Sequence, residues 1–121
     1  MRVVVATSDG IRVHIGHFGD AKYYFIYDVG KDPRFPKLEI VENPFRGEEE
    51  EHGHGNRAKR EGLLRLFRGP DAVVATFFGP GGEEFFRSRG VLPVKVRPWA
   101  IIEEGLSRAI DALRPSGYPR E

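Results

Sequence analysis

Apolar residues along this chain recur with two different periods, and the switches between those periods outline a run of strands and helices. Residues 2–7 (RVVVAT) form a β-branched apolar run closed by Ser8-Asp9-Gly10, the mark of a buried central strand ending in a turn. Residues 22–29, with Tyr23, Tyr24, Phe25, Ile26 and Tyr27, and residues 37–41, after the turn cluster Gly30-Lys31-Asp32-Pro33, predict a hairpin. Asn43-Pro44 ends that pattern. From Asn56, a residue suited to capping, Leu63, Leu66 and Phe67 fall at helical spacing until Gly69-Pro70 supplies the stop. A continuous apolar strand over 71–78 follows, and Gly79-Pro80-Gly81-Gly82 then turns into a short helix with Phe85 and Phe86 that ends at Gly90; Pro80 suits its first helical position. Residues 92–96 read as a last strand. A final amphipathic helix over about 98–113 aligns Ile102, Leu106, Ala109, Ile110 and Leu113.

The order strand, strand, strand, helix, strand, helix, strand, helix implies an α/β domain, a mixed sheet with helices packed on it. At 121 residues the chain suits one domain, expected over 1–113, with a frayed tail over 114–121.

Composition narrows the chemistry. There is no cysteine, which excludes disulfides, a thiolate nucleophile and a Cys-held zinc or iron–sulfur cluster, so any metal must use His, carboxylate or backbone oxygen. A net charge of +1 gives no case for nucleic acid or a membrane surface as partner. The lack of a long apolar run argues against a membrane span and for a cytoplasmic protein. Gln is missing, Asn occurs only at positions 43 and 56, and 31% of residues are charged, a thermophile-like composition.

Several short segments, taken together in order, resemble the dinitrogenase iron-molybdenum cofactor biosynthesis family (NifX/NifB C-terminal-like domain). They are Val5-Ala6-Thr7-Ser8-Asp9-Gly10, His17-Phe18-Gly19 with Ala21 and Tyr24-Phe25, Glu42-Asn43-Pro44, His52-Gly53-His54-Gly55 and Phe78-Gly79-Pro80. The resemblance implies a ribonuclease H-like fold, with a five-stranded mixed sheet ordered 3-2-1-4-5 and three helices. It also implies a non-enzymatic role in handling iron-molybdenum cofactor or an iron–sulfur precursor. Two positions depart from the family pattern: Asp20 stands where a basic residue is usual, and Gly81-Gly82 follow Gly79-Pro80.

The topology implied by the family makes strands one and four parallel neighbours, whose carboxyl edge is where open α/β sheets bind ligands. Ser8, Asp9, Gly10, His14, His17, Gly79, Pro80, Gly81 and Gly82 would then surround one crevice, with the start of the Pro80 helix favouring an anionic cofactor. His17 is the first candidate metal ligand; its alternative is to order the Gly16-His17-Phe18-Gly19 turn through a carbonyl. His14 is either a further contact or a solvated position.

His52 and His54, two apart beside the acidic run 48–51, could bind a single transition metal ion such as zinc, iron or nickel, in a loop over 45–55 that is otherwise simply solvated. No covalent cofactor is expected.

Other chemistries find less support. Asp9, Asp20, Asp28 and Asp71 do not converge as two-metal hydrolysis requires. Ser8 has no His–Asp relay, and the aromatic row 23–27 suits core packing or a homodimer contact better than base stacking. Trp99, at the start of the last helix, reads as an anchor. The expected partners are therefore a metal-containing small molecule and a donor or acceptor protein, with the chain itself a monomer or weak homodimer. A protein-docking module without its own metal, and a metal-dependent hydrolase, are the competing functions.

Overall fold

The computed structural model describes residues 1–46 and 57–114. The 47–56 segment, with Asn56 and the pair His52 and His54, and the tail 115–121 lie outside the described residues. Five strands, β1 (Arg2–Thr7), β2 (Tyr23–Asp28), β3 (Lys37–Glu42), β4 (Ala72–Ala75) and β5 (Leu92–Lys95), form one sheet in the order β3-β2-β1-β4-β5. β1 runs parallel to β4 and β4 to β5, whereas β1–β2 and β2–β3 are antiparallel, so the sheet is mixed as expected.

Three helices cover it: α1 (Arg57–Phe67), α2 (Gly82–Ser88) and α3 (Ile102–Leu113). Alternation along β1 assigns its side chains to two cores. Val3 and Val5 face α3 with Val74, Ile102, Leu106 and Ile110, while Val4 and Ala6 face α1 and α2 with Ile26, Leu63, Phe67 and Phe86. With helices on both faces β1 must be apolar throughout, which is why it reads as a continuous run rather than an alternating one. α3 comes close to the strands because Gly105 has no side chain; a Cβ there would lie 2.9 Å from Val74 Cγ1.

At the edge opposite the expected crevice, Arg2 clamps the sheet. Its guanidinium pairs with Asp28 and donates to the Phe67 and Arg68 carbonyls, and its backbone N–H donates to Asp71. Asp28 and Asp71 are thereby used at the end away from the candidate site.

Three boundaries differ from the sequence pattern. The apolar run 71–78 yields only the four residues of β4, because Thr76 and Phe77 turn to bond the loop after β1 instead of extending the sheet. Pro80 is not the first helical residue: Gly81, at φ +75°, is the N-cap and α2 starts at Gly82.

The last helix starts at Ile102, not near 98. Residues 100 and 101 are held against residues 11–13, with Val13 N–H donating to Ala100 O and Ile102 N–H to Ile11 O. Those bonds satisfy backbone groups that a first helical turn would leave open. Trp99 consequently sits at φ +73° and is 67% exposed, so it anchors nothing within the described residues.

Candidate functional site

The carboxyl ends of β1, β4 and β5 open on one edge, and the chain after β1 folds back over it. Thr7 bridges to Val13, and His14 N–H donates to Ala6 O, so residues 8–12 form a tight loop. Asp9 builds that loop. One oxygen of its carboxylate accepts the N–H groups of Ile11 and Arg12, and these bonds hold its pKa below the ordinary value. Gly10, at φ +77°, passes over the Phe25 ring on the α3 face of the sheet.

His14 is partly buried and hydrogen-bonded rather than solvated. Its Nδ1 lies 2.8 Å from Ser8 Oγ, which also accepts Lys22 N–H at 3.1 Å. The pair ties the loop to the start of β2. Burial lowers the His14 pKa from 6.5, assisted by Arg46 and His17 and opposed by Asp20. A ring kept neutral in the fold but protonated in the unfolded chain adds stability that is present above the unfolded pKa and lost as pH falls through the folded one. The His14 ring resonances should therefore titrate with a midpoint below 6.5, and acid should lower the melting temperature less in His14→Gln than in wild type. A midpoint at or above the ordinary histidine value would contradict this account.

His17 is placed by the end of β4. Phe18 N–H donates to Phe77 O, while Thr76 Oγ1 accepts Gly16 N–H and lies 3.1 Å from His14 O, so the whole turn is strapped to the strand. The His17 ring packs against Phe77 with centroids 4.8 Å apart and leaves its side chain 39% exposed. Beside it is Gly79; a Cβ there would come within 3.3 Å of Nδ1, so the glycine leaves room for the imidazole. Asp20 Oδ2 stands 3.9 Å from the same nitrogen.

Behind His17, Phe18 fills the α1–α2 core, and Asn43 braces the turn with Nδ2–H bonds to the carbonyls of Gly19 and Ala21. Asp20 receives Lys59 Nζ at 3.2 Å from α1. The ammonium is almost wholly buried and its stem lies against Gly19. A helix-borne cation thus meets the carboxylate at this turn.

Two openings adjoin these residues. A small pocket between His17, Asp20, Lys59, Arg60, Phe78 and Phe86 encloses about 20 Å³, room for a water or an ion. A wider, open groove of about 430 Å³ runs past Arg57, Arg60, Pro80, Gly81, Glu84, Phe85 and Ser88. Arg60 borders both and donates from Nη2 to Pro80 O at 2.9 Å.

The nine expected crevice residues therefore fall into four groups. Ser8 and His14 bond each other, His17 packs beside Gly79, and Pro80, Gly81 and Gly82 turn toward Arg60. Asp9 and Gly10 serve their own loop. The start of α2 carries Glu83 and Glu84 in its first turn, and Gly82 N–H and Phe85 N–H are taken by Gly79 O and Gly81 O. Acidic side chains there offset the helix dipole, so the N-terminus offers little to an anion. Among the described residues, no three His, Asp or Glu side chains are placed to share a metal ion.

Lys59, Arg60 and Thr76 were not among the residues expected at the site. Lys59 had a signal: it lies four residues before Leu63 and eight before Phe67, on the stripe that faces the core.

Among the described residues no helix is long and apolar enough to cross a membrane. The family model described as dinitrogenase iron-molybdenum cofactor matches residues 1–112. Among solved structures, the crystal structure of PH0822 is similar at 30% identity, covering 78% of this chain and 76% of that one, with a TM-score of 0.54. An NMR structure of a NifB-like DUF35-family protein from Thermotoga, TM1290, superposes with a TM-score of 0.61 over 91% of this chain and 87% of that one; at 19% identity that likeness concerns the fold. No curated protein matches the sequence. The match over nearly the whole length makes this chain a member of the dinitrogenase iron-molybdenum cofactor family.

Proposed function

We propose that the protein is a non-enzymatic binder or carrier of a metal-containing ligand, an iron-molybdenum cofactor or iron–sulfur precursor, received at the carboxyl edge of β1 and β4. The observation that carries this reading is the presentation of His17: a half-exposed imidazole, strapped by hydrogen bonds on both sides of its turn, beside a glycine that leaves room for the ring. A bare zinc ion needs three or four protein ligands. A preassembled cluster brings most of its own, so one well-held imidazole suits it, with Nδ1 turned toward Asp20 and Nε2 left for the metal. Family membership supports the same class of cargo.

The hydrolase reading is weakened because the Asp9 carboxylate is committed to its own loop. A docking function has one favourable observation: Ile11, Ile15, Phe77, Trp99 and Ile101, all exposed, belong to the loops at this same edge. They suit contact with a protein that donates or accepts the cargo. We read residues 1–113 as one ribonuclease H-like domain and the protein as cytoplasmic, without nucleic acid as partner.

Anaerobic titration with iron and with a nitrogenase-type cluster, following protein-bound metal, tests the carrier role. His17→Ala should weaken cluster binding by at least about tenfold while thermal stability holds, since loss even of a residue supporting a metal ligand commonly has that effect. Equal binding by wild type and His17→Ala would remove the cargo from this turn.

A further inference from the structure

We propose that the open groove between α1 and α2 is a separate subsite for a small organic oxyanion, with Arg57 and Arg60 as its recognition groups. This deepens the carrier reading, because the groove adjoins the His17 pocket through Arg60, but it rests on different residues.

The groove's volume of about 430 Å³ is in the range of small-molecule sites, whereas the pocket at His17 admits only an ion or a water. Arg57 and Arg60 both line the groove. Neither forms an ion pair among the described residues, although Arg2, Arg34, Arg68, Arg89 and Arg97 all do. Arg60 is oriented by its bond to Pro80 O, which fixes the plane of its remaining donors before a ligand arrives. A guanidinium held in this way presents paired N–H groups that match a carboxylate or phosphate edge.

Gly81 lines the groove beside Arg60. Its left-handed φ of +75° turns the backbone there, and a Cβ would stand 3.8 Å from Arg60 Nη1, so the position is open to a ligand on the arginine. Pro80, Glu84, Phe85 and Ser88 complete the lining. The Glu84 carboxylate can accept from a hydroxyl or amine of the ligand. With arginines and a carboxylate in one lining, the groove suits a ligand that carries both an oxyanion and a hydrogen-bond donor, such as a hydroxycarboxylate or a phosphorylated alcohol. The acidic first turn of α2 leaves anion recognition to α1.

The test uses metal-free, full-length protein in low salt, titrated separately with citrate, with tricarballylate, which lacks the hydroxyl, and with glycerol phosphate, and followed by backbone amide NMR. Saturable shifts are expected at Gly81, Glu84 and Ser88, with citrate binding more tightly than tricarballylate; the tighter of citrate and glycerol phosphate identifies the oxyanion as carboxylate or phosphate. Arg57→Gln/Arg60→Gln should weaken binding at least tenfold, and Arg57→Gln alone, at a residue with no side-chain bond to the fold among the described residues, should weaken it severalfold. The charge-matched control Arg34→Gln/Arg108→Gln should bind as wild type does. No saturable binding by wild type, or equal losses in the control, overturns the subsite. Because no metal is present, that failure leaves the His17 titration untouched, and a failed cluster titration leaves this one standing.

Discussion

Phe18→Ala should cost about 3–5 kcal/mol of folding stability, the usual range for truncating a buried phenylalanine. The ring is 2% exposed and packs against Tyr24, Phe67, Phe78 and Phe86, with centroid separations of 5.0, 5.9, 5.5 and 5.4 Å. These partners come from β2, α1, the loop after β4 and α2, so a cavity here would loosen every element on that face at once. Total stability for a domain of this size is roughly 5–15 kcal/mol, so the variant should be partly unfolded under mild heating. Urea denaturation measures the loss. A change below about 1 kcal/mol would show that the surrounding rings collapse to refill the space, contrary to the rigid packing inferred here. Since His17 precedes Phe18, metal binding should fall in the same variant without any ligand having been removed.

Asn43→Ala should be nearly as damaging. The amide donates to Gly19 O at 2.9 Å and Ala21 O at 2.8 Å, and its Oδ1 accepts Phe45 N–H at 2.9 Å, so one side chain satisfies three backbone groups. Leaving them unpaired in a site that is 7% exposed should cost roughly 2–4 kcal/mol, at about 1–3 kcal/mol for a buried orphan. Asn43→Asp separates geometry from charge. It keeps the shape but aims a carboxylate at two carbonyl oxygens, which disfavours ionisation in the fold. The substituted group would then have a folded pKa above its unfolded value, and the variant should gain stability relative to wild type as pH falls toward the carboxylate range. If both variants denatured at the wild-type urea concentration, the brace assigned to Asn43 would be wrong.

Asn43 also shows what the sequence motif contained. In the sequence, Glu42-Asn43-Pro44 reads as a strand stop. The fold adds the reason for that particular residue: the turn carrying His17 exposes carbonyls toward the end of β3, and only a side chain with both a donor and an acceptor can close them. Lys59 is the counterpart on α1. Its position on the apolar stripe was visible, but its partner Asp20 is 39 residues away in sequence, and no periodicity relates the two.

Hydrophobic period and turn chemistry were enough to give the number, type and order of strands and helices, because each depends on neighbours a few residues apart. β1 reads as a buried strand from its own residues, and α3 as an amphipathic helix from Ile102, Leu106, Ala109 and Ile110. Where elements end was decided elsewhere. β4 stops at Ala75 because Thr76 bonds the loop of Gly16, and α3 starts late because residues 100 and 101 pair with residues 11–13. The site was legible as residue types, His17 and the glycines around Pro80, but not as a constellation. Ser8 meets His14, His17 meets Gly79, and Arg60 meets Pro80 only after the sheet has brought three strand ends to one edge. Local sequence thus determined what could form, through short-range sterics and burial; long-range backbone and side-chain bonds, available only in the folded chain, decided which groups face one another.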